Sequence, residues 1–438
     1  MTSRTPRNLA GNPSSQQNGS HEELEPWVVD TSSEFERLLG VLASMPLYCF
    51  DTEFHRERTY YARLALLQVA WPGGIAIVDP LKVDVSGFAS VLEGKGLAIV
   101  HACDQDLEIM QRVCGAVPSS ILDTQVAAGF LGMSSPSLSA LTERLLGVRL
   151  EKGDQLTDWT RRPLSAGQLR YAANDVAYLI ELYEALRDRL EAAGRWEWAV
   201  TECQPLLAAA RRTSDPDEAW WKLRQARQLR GAQRGVAQSI TAWRERRARR
   251  LDLPVRQVLP DLPLASIAHR PPKSREELSQ VRGLDGRYLS DGAAAEILEA
   301  VAAGERLPAS SIRLPPSIPE DASRPMLALA VAYGAERARQ LGIDASILAT
   351  RADVTAFLRD PPEGRLVTSW RGEILGEPIR RLVSGEAALV LEDSSLVLEQ
   401  RSRIPFSAAD LSLNEPADEP MEGVDRPLPS SELGDASS

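Results

Sequence analysis

The sequence predicts an α/β domain with a mixed sheet, followed by two small all-α domains. Three observations lead there. Apolar strand-like runs crowd residues 47 to 100 and then alternate with helical patterns. Beyond residue 215, prolines cut the chain into short helical pieces. The length, 438 residues, exceeds what one ordinary core holds.

The first unit spans 26–205. Leu47-Tyr48-Cys49-Phe50 reads as a buried strand, and Ala65 to Ala70 as a second. Pro72-Gly73-Gly74 marks a turn before a third strand, Ile75 to Val78, and Leu97 to Val100 is a fourth. Asp104 to Val113 has helical spacing, with Asp104 as the expected N-cap and Leu107, Met110 and Val113 on one face. Further helices are expected over Leu138 to Leu145 and Ala166 to Leu190. The second unit, 215–305, is punctuated by Pro254, Pro260, Pro263 and Pro271-Pro272. A Pro-rich linker, Leu314 to Pro319, leads to the third unit, 323–406. Helices are expected there from Met326 to Leu341, Ser346 to Leu358 and Glu377 to Ser384. The ends, 1–25 and 407–438, are polar and read as disordered; the second is also acidic.

The apolar fraction of 43% and charged fraction of 25% fit a soluble globular protein. No apolar run approaches the roughly 18 residues of a membrane span. The N-terminal stretch has no apolar core and does not read as a secretory signal. Four cysteines without C-x-x-C spacing read as reduced thiols, and the expected location is the cytoplasm. The net charge of −11 argues at first against nucleic acid. Its distribution weakens that objection, because Arg211 to Arg250 holds twelve bases and four acids. Arg244, Arg246, Arg247, Arg249 and Arg250 fit a phosphate-binding patch and a solvated helix face equally well.

The chemistry is carried by carboxylates. Asp51 and Glu53 are two apart where the first strand ends, so both project from one face of the sheet. Two ionised acids that close repel unless cations lie between them, and oxygen ligands suit Mg²⁺ or Mn²⁺. Asp106 starts the helix after the fourth strand, at the edge where α/β sites gather. It equally serves the helix dipole, and Asp104 and Glu108 compete for the same part. Tyr171 and Asp175, four apart on a helix, share a face.

Read together, Phe50-Asp51-Thr52-Glu53-Phe54, His101 to Glu108 and Tyr171-Ala172-Ala173-Asn174-Asp175-Val176 resemble the three motifs of the DEDD exonuclease superfamily, in its Tyr-containing subclass. Glu57-Arg58-Thr59-Tyr60-Tyr61 and Lys152 to Trp159 with Arg162-Pro163-Leu164 resemble the ribonuclease D family in particular. Trp243-Arg244, Val258 to Asp261, Leu264, Ile267-Ala268 and Leu278 to Gly283 are similar to the helicase-and-RNase-D C-terminal (HRDC) domain, a helical nucleic-acid-binding module. No G-x-x-x-x-G-K-[ST] loop accompanies it, so a helicase motor is not expected.

The resemblance implies a ribonuclease H-like exonuclease domain and a metal-dependent 3′→5′ exoribonuclease. Asp51, Glu53, Asp106 and Asp175 would hold two divalent cations, Mg²⁺ or Mn²⁺. Tyr171 would orient the attacking water, and the products would be nucleoside 5′-monophosphates. Lys152, Gln155, Trp159 and Arg162 would contact substrate, with packing an equal alternative for Trp159. Single-stranded RNA 3′ ends, transfer-RNA precursors among them, are the implied partners of a monomeric enzyme that meets no membrane. The same motifs serve DNA exonucleases, and a non-catalytic nucleic-acid-binding adaptor is the alternative of another class. His101 ends a buried strand and reads as structural; His55 receives no role. Asp123 reads as a helix cap.

Overall fold

The computed structural model describes residues 25–150, 157–224, 228–314, 324–359 and 361–401. The N-terminal part is a six-stranded mixed sheet in the order β1-β4-β3-β2-β5-β6. Its elements are β1 (Trp27–Val29), α1 (Ser32–Leu42), β2 (Leu47–His55), β3 (Arg63–Trp71), β4 (Gly74–Val78), α2 (Ala89–Leu92), β5 (Leu97–Val100), α3 (Asp104–Val113) and β6 (Ile121–Asp123). There follow α4 (Thr124–Gly129), α5 (Leu138–Leu146), α6 (Ala166–Ala177), α7 (Leu179–Ala192) and α8 (Trp196–Arg211). β2, β3 and β4 form an antiparallel meander, and β2 is parallel to β5 and β5 to β6. β2 and β3 are thus central, which explains the near-continuous burial of Leu64 to Ala70.

The apolar run at Leu47 does not end the first strand. β2 continues through both acids to His55, with a register shift between Glu53 and Phe54. The strand alternates cleanly. Tyr48 and Phe50 point to one face and cluster with Phe88 at ring-centroid distances of 6.3 to 6.4 Å. Asp51 and Glu53 point to the other, under α6, which packs across β2, β3 and β4. The expected helix Ala166 to Leu190 is two helices, broken at Tyr178 (φ −110°, ψ 5°).

The next elements are α9 (Ala232–Leu251), α10 (Val255–Val258), α11 (Asp261–His269), α12 (Arg275–Ser279) and α13 (Ala293–Arg306). They enclose a helical core containing Trp220, Ile240, Leu264, Leu278 and Ile297. α9 and α13 meet closely because Gly235 and Gly304 face each other, where a Cβ at either would strike the opposing backbone. α14 (Arg324–Leu341), α15 (Ala345–Leu348), α16 (Arg351–Phe357) and α17 (Ser369–Arg371) return to the sheet domain. Trp370 stacks on Trp198 of α8 at 4.7 Å, and Glu202 of α8 pairs with both Arg365 and Arg371.

A separate compact unit begins at Arg380, inside α18 (Glu377–Val383). It contains an antiparallel hairpin, β7 (Ala387–Glu392) and β8 (Ser395–Gln400), in a stretch where the sequence reading placed no strands. Its turn puts Asp393 and Ser394 at φ 45° and 65°, the left-handed pair of a tight hairpin, without the usual glycine.

Candidate active site

Three elements deliver the acids. β2 places Asp51 and Glu53 on one face, and α6 lays Asp175 over them; carboxylate oxygens of the three lie within 4.8 Å of one another. α6 is launched by a capping box, in which the Ser165 hydroxyl accepts from the Gln168 N–H and the Gln168 side chain accepts from the Ser165 N–H. Tyr171 sits one turn before Asp175.

Asp106 joins from α3. It is 7% exposed, whereas its sequence rivals Asp104 and Glu108 are exposed, and Glu108 pairs with Arg56. Thr52, on the opposite face of β2 from Asp51, donates its hydroxyl to Asp106 Oδ1. Cys103, not Asp104, occupies the N-cap of α3. The turn before α3 is instead fastened by Asp123, which accepts from the N–H groups of Ala102 (3.1 Å) and Cys103 (3.0 Å). Asp123 also caps α4 through Gln125 N and Val126 N. Ala102 has φ 55°, a strained conformation for a residue with a Cβ, held by this carboxylate.

The electrostatics are those of crowded, buried acids. Burial first, then Asp175 and Asp106, pushes Glu53 up to about 8. Burial and Asp106 push Asp175 up to about 7. Burial raises Asp106 to about 6 against the opposing Thr52 hydrogen bond. Asp51 is driven well above the carboxylate range by burial and by its three acidic neighbours. Among the described residues, no Lys or Arg pairs with any of the four. The donor set is all oxygen and all anionic, which fits hard divalent cations. Tyr171 is also raised, by burial and then Asp175, Glu53 and Asp51, so its phenol keeps its proton.

The substrate-contact residues fare differently. Lys152 and Gln155 lie outside the described residues. Arg162 is turned toward the protein. Its Nε and Nη2 bind both oxygens of buried Asp79 at 2.6 and 2.7 Å, Nη2 also reaches Ala65 O, and Nη1 reaches Trp159 O and Arg161 O. The guanidinium donors are taken by protein oxygens, so Arg162 anchors the segment before α6 to the sheet. Trp159 is 3% exposed and packs on Tyr171 at 5.8 Å, the arrangement of the packing alternative. His101 is tied to Thr124 Oγ1 at 2.9 Å and burial lowers its affinity for a proton, as suits a structural histidine.

The basic run on α9 is mostly committed within the protein. Arg244 binds Asp261 and Leu259 O, and Arg247 binds both oxygens of Glu296 at 2.9 Å. Arg249 reaches the sheet domain. The Tyr60 hydroxyl donates to Glu245 at 2.8 Å and accepts from Arg249 Nε at 3.0 Å, while Tyr61 N–H donates to Asp252. The loop after β2 is thereby stapled to α9, and on its other side Arg112 of α3 lies 3.2 Å over the Tyr61 ring. Arg246 and Arg250 are the more exposed members, each with one long ion-pair contact, at 3.9 and 3.4 Å. Thr52 and Tyr60 lie within motifs quoted from the sequence but without a role, and Asp79 lies in none, since nothing local marks their distant partners.

The 3′–5′ exonuclease family model matches residues 26–191, and the HRDC domain model matches residues 233–301. The ribonuclease D of Acidiphilium cryptum is 32% identical over 83% of this chain and 95% of its own length. The chain belongs to the ribonuclease D family. Another family member, from Jannaschia sp., is 34% identical over 83% of this chain and 97% of its own. The crystal structure of Escherichia coli RNase D, described as an exoribonuclease involved in structured RNA processing, superposes with a TM-score of 0.75. The two share 29% identity over 83% of this chain and 99% of that one. As a member of the ribonuclease D family the chain is a 3′→5′ exoribonuclease that uses divalent metal and binds RNA. Among the described residues no helix is long and apolar enough to cross a membrane.

Proposed function

We propose that this ribonuclease D family member hydrolyses the terminal phosphodiester at single-stranded RNA 3′ ends. It would release nucleoside 5′-monophosphates one at a time, with transfer-RNA precursors or other stable RNAs as substrates. Asp51, Glu53, Asp106 and Asp175 would hold two Mg²⁺ or Mn²⁺ ions. The carrying observation is the set of three carboxylates, Asp51, Glu53 and Asp175, whose oxygens lie within 4.8 Å of one another with no basic partner among the described residues. Divalent cations bound there supply acidity to a water and countercharge to the phosphate oxygens.

The residues divide the work. Asp51, Glu53 and Asp175 offer a triangle of oxygens whose mutual repulsion, when they are ionised, is relieved by bound cations. Asp106 completes the anionic wall, its carboxyl oriented by Thr52. The Tyr171 phenol, kept protonated by the surrounding acids, is a hydrogen-bond donor and water-orienting group, not the proton acceptor. Trp159 packs against its ring and limits its motion. The Arg162–Asp79 pair fixes the segment leading into α6, and so the height of Asp175 above β2.

The test is incubation of the full chain with 3′-labelled single-stranded RNA and matched DNA, with and without chelator. RNA-selective, chelator-sensitive release of 5′-monophosphates is expected. Release that ignores the chelator would overturn the metal reading, and equal turnover of DNA would overturn the RNA preference.

A further inference from the structure

β3 contains one polar residue in an apolar row, Leu64-Ala65-Leu66-Leu67-Gln68-Val69-Ala70. Gln68 is fully buried, and neither its Nε2 nor its Oε1 has a hydrogen-bond partner among the described residues. A buried amide without partners is costly, and an apolar residue of similar length would fill the same place without that cost. The position of Gln68 suggests why it is there. The register of β2 and β3 puts Gln68 directly opposite Asp51. Side chains of directly opposed residues share a face, with Cβ atoms about 4.5–5.5 Å apart. Gln68 therefore lies on the acid-bearing face beneath α6, beside Asp51. On its other side it opposes Ile77 of β4, which offers no polar side chain.

We infer that Gln68 is a positioning residue for Asp51, its amide N–H donating to the carboxylate when Asp51 holds a cation. An ionised ligand needs such a donor to fix the oxygen that faces the ion, and groups of this kind commonly set metal affinity. The amide has no work to do in the metal-free fold and acquires a partner on loading. The inference rests on the reading of Asp51 as a cation ligand.

The experiment is Mn²⁺ titration of the full chain without RNA, by calorimetry or by the electron-spin signal of free Mn²⁺, on wild type, Gln68→Met, Gln68→Leu and Asp51→Asn. Melting temperatures are measured in chelator. Both Gln68 variants should bind Mn²⁺ about tenfold or more weakly. Both should melt in chelator at or above the wild-type temperature, because an unpartnered amide has been removed. A merely structural glutamine gives the opposite pattern, lowered metal-free stability with unchanged Mn²⁺ affinity, and that result overturns the inference. Loss of the metal-free fold in both variants overturns it as well. Asp51→Asn separates the two readings. If it keeps wild-type Mn²⁺ affinity, the ligand reading itself fails. If it loses affinity while the Gln68 variants keep theirs, only the positioning role fails.

Discussion

Two regions of this chain are dense in charge and treat it in opposite ways. On α9, Arg244, Arg247 and Arg249 are matched to Asp261, Glu296, Tyr60 and backbone oxygens. Around β2, Asp51, Glu53, Asp106 and Asp175 gather without a basic partner among the described residues, and burial and nearby acids raise all four above the usual carboxylate range. A run of basic residues looks more like a binding surface in the sequence than D-x-E does, yet it is the acids that are left unsatisfied. Charge that the fold neutralises is architecture; charge that it concentrates and leaves open is for something that arrives later.

The comparison is broken most forcefully at the acids. Asp51→Asn and Asp175→Asn should each lower RNA hydrolysis by about a thousandfold or more while circular dichroism stays native, since removing one member of a metal set disables the set. Near-wild-type rates in both variants would sink the active-site reading. The next largest effect belongs to a charge that is already matched. Asp79→Ala strips the half-buried Arg162 of its bidentate partner and should cost about 2–3 kcal/mol by denaturant unfolding. If Arg162→Ala instead weakened RNA binding with no loss of stability, the guanidinium would be a substrate contact after all.

The pH dependence of stability sharpens the contrast further. Glu53, Asp175 and Asp106 rise to about 8, 7 and 6 in the fold, above their unfolded values. Between about pH 4 and these values the metal-free fold binds more protons than the unfolded chain, so stability falls as pH rises. The contribution is fully present below about pH 4, is lost progressively as pH rises, and is gone once pH passes the folded values of about 6 to 8. In chelator, the wild-type melting temperature should drop over that window by several degrees more than that of Asp175→Asn. Added Mg²⁺ should raise it more at pH 8 than at pH 5. Parallel melting curves for the two proteins across that window would contradict the charge crowding.

Smaller effects are expected on α9. Tyr60→Phe removes a hydroxyl shared by Glu245 and Arg249 and should cost about 1 kcal/mol. Arg246→Gln and Arg250→Gln should leave stability within about 0.5 kcal/mol. Each should weaken RNA binding a few-fold and flatten its salt dependence if these exposed arginines meet phosphate. A salt slope equal to wild type in the double variant would remove α9 from the RNA path.

Much of the site was legible in the sequence because its signal is local. Asp51 and Glu53 are placed on one face by the two-residue period of a strand, and Tyr171 and Asp175 by one helical turn. Asp106 was ambiguous, since three acids in one turn have equal local claims; burial against Thr52, 54 positions away in the chain, separates them. The inward partners of Arg162 and Trp159 were not legible, because an arginine near a tryptophan suits nucleic acid equally well in any sequence. The pairing with Asp79 is set by tertiary packing alone. The fold shows the same division. Runs such as Leu97 to Val100 read directly as strands. The three-residue strands β1 and β6 are too short to show a period, and the hairpin turn at Asp393-Ser394 lacks the glycine that would announce it.

The staple at Tyr60 and Tyr61 has a consequence for modularity. The family models divide this chain into an exonuclease and an HRDC domain, as if the two could be cut apart or exchanged. The loop that continues from the Asp51–Glu53 strand nevertheless packs its Tyr60 ring against the core of the second domain. A cut between the two would expose that ring and leave the Tyr61 N–H without Asp252. A transplanted HRDC domain would have to bring Glu245, Arg249 and Asp252 with it, or the catalytic strand would lose the support at its exit.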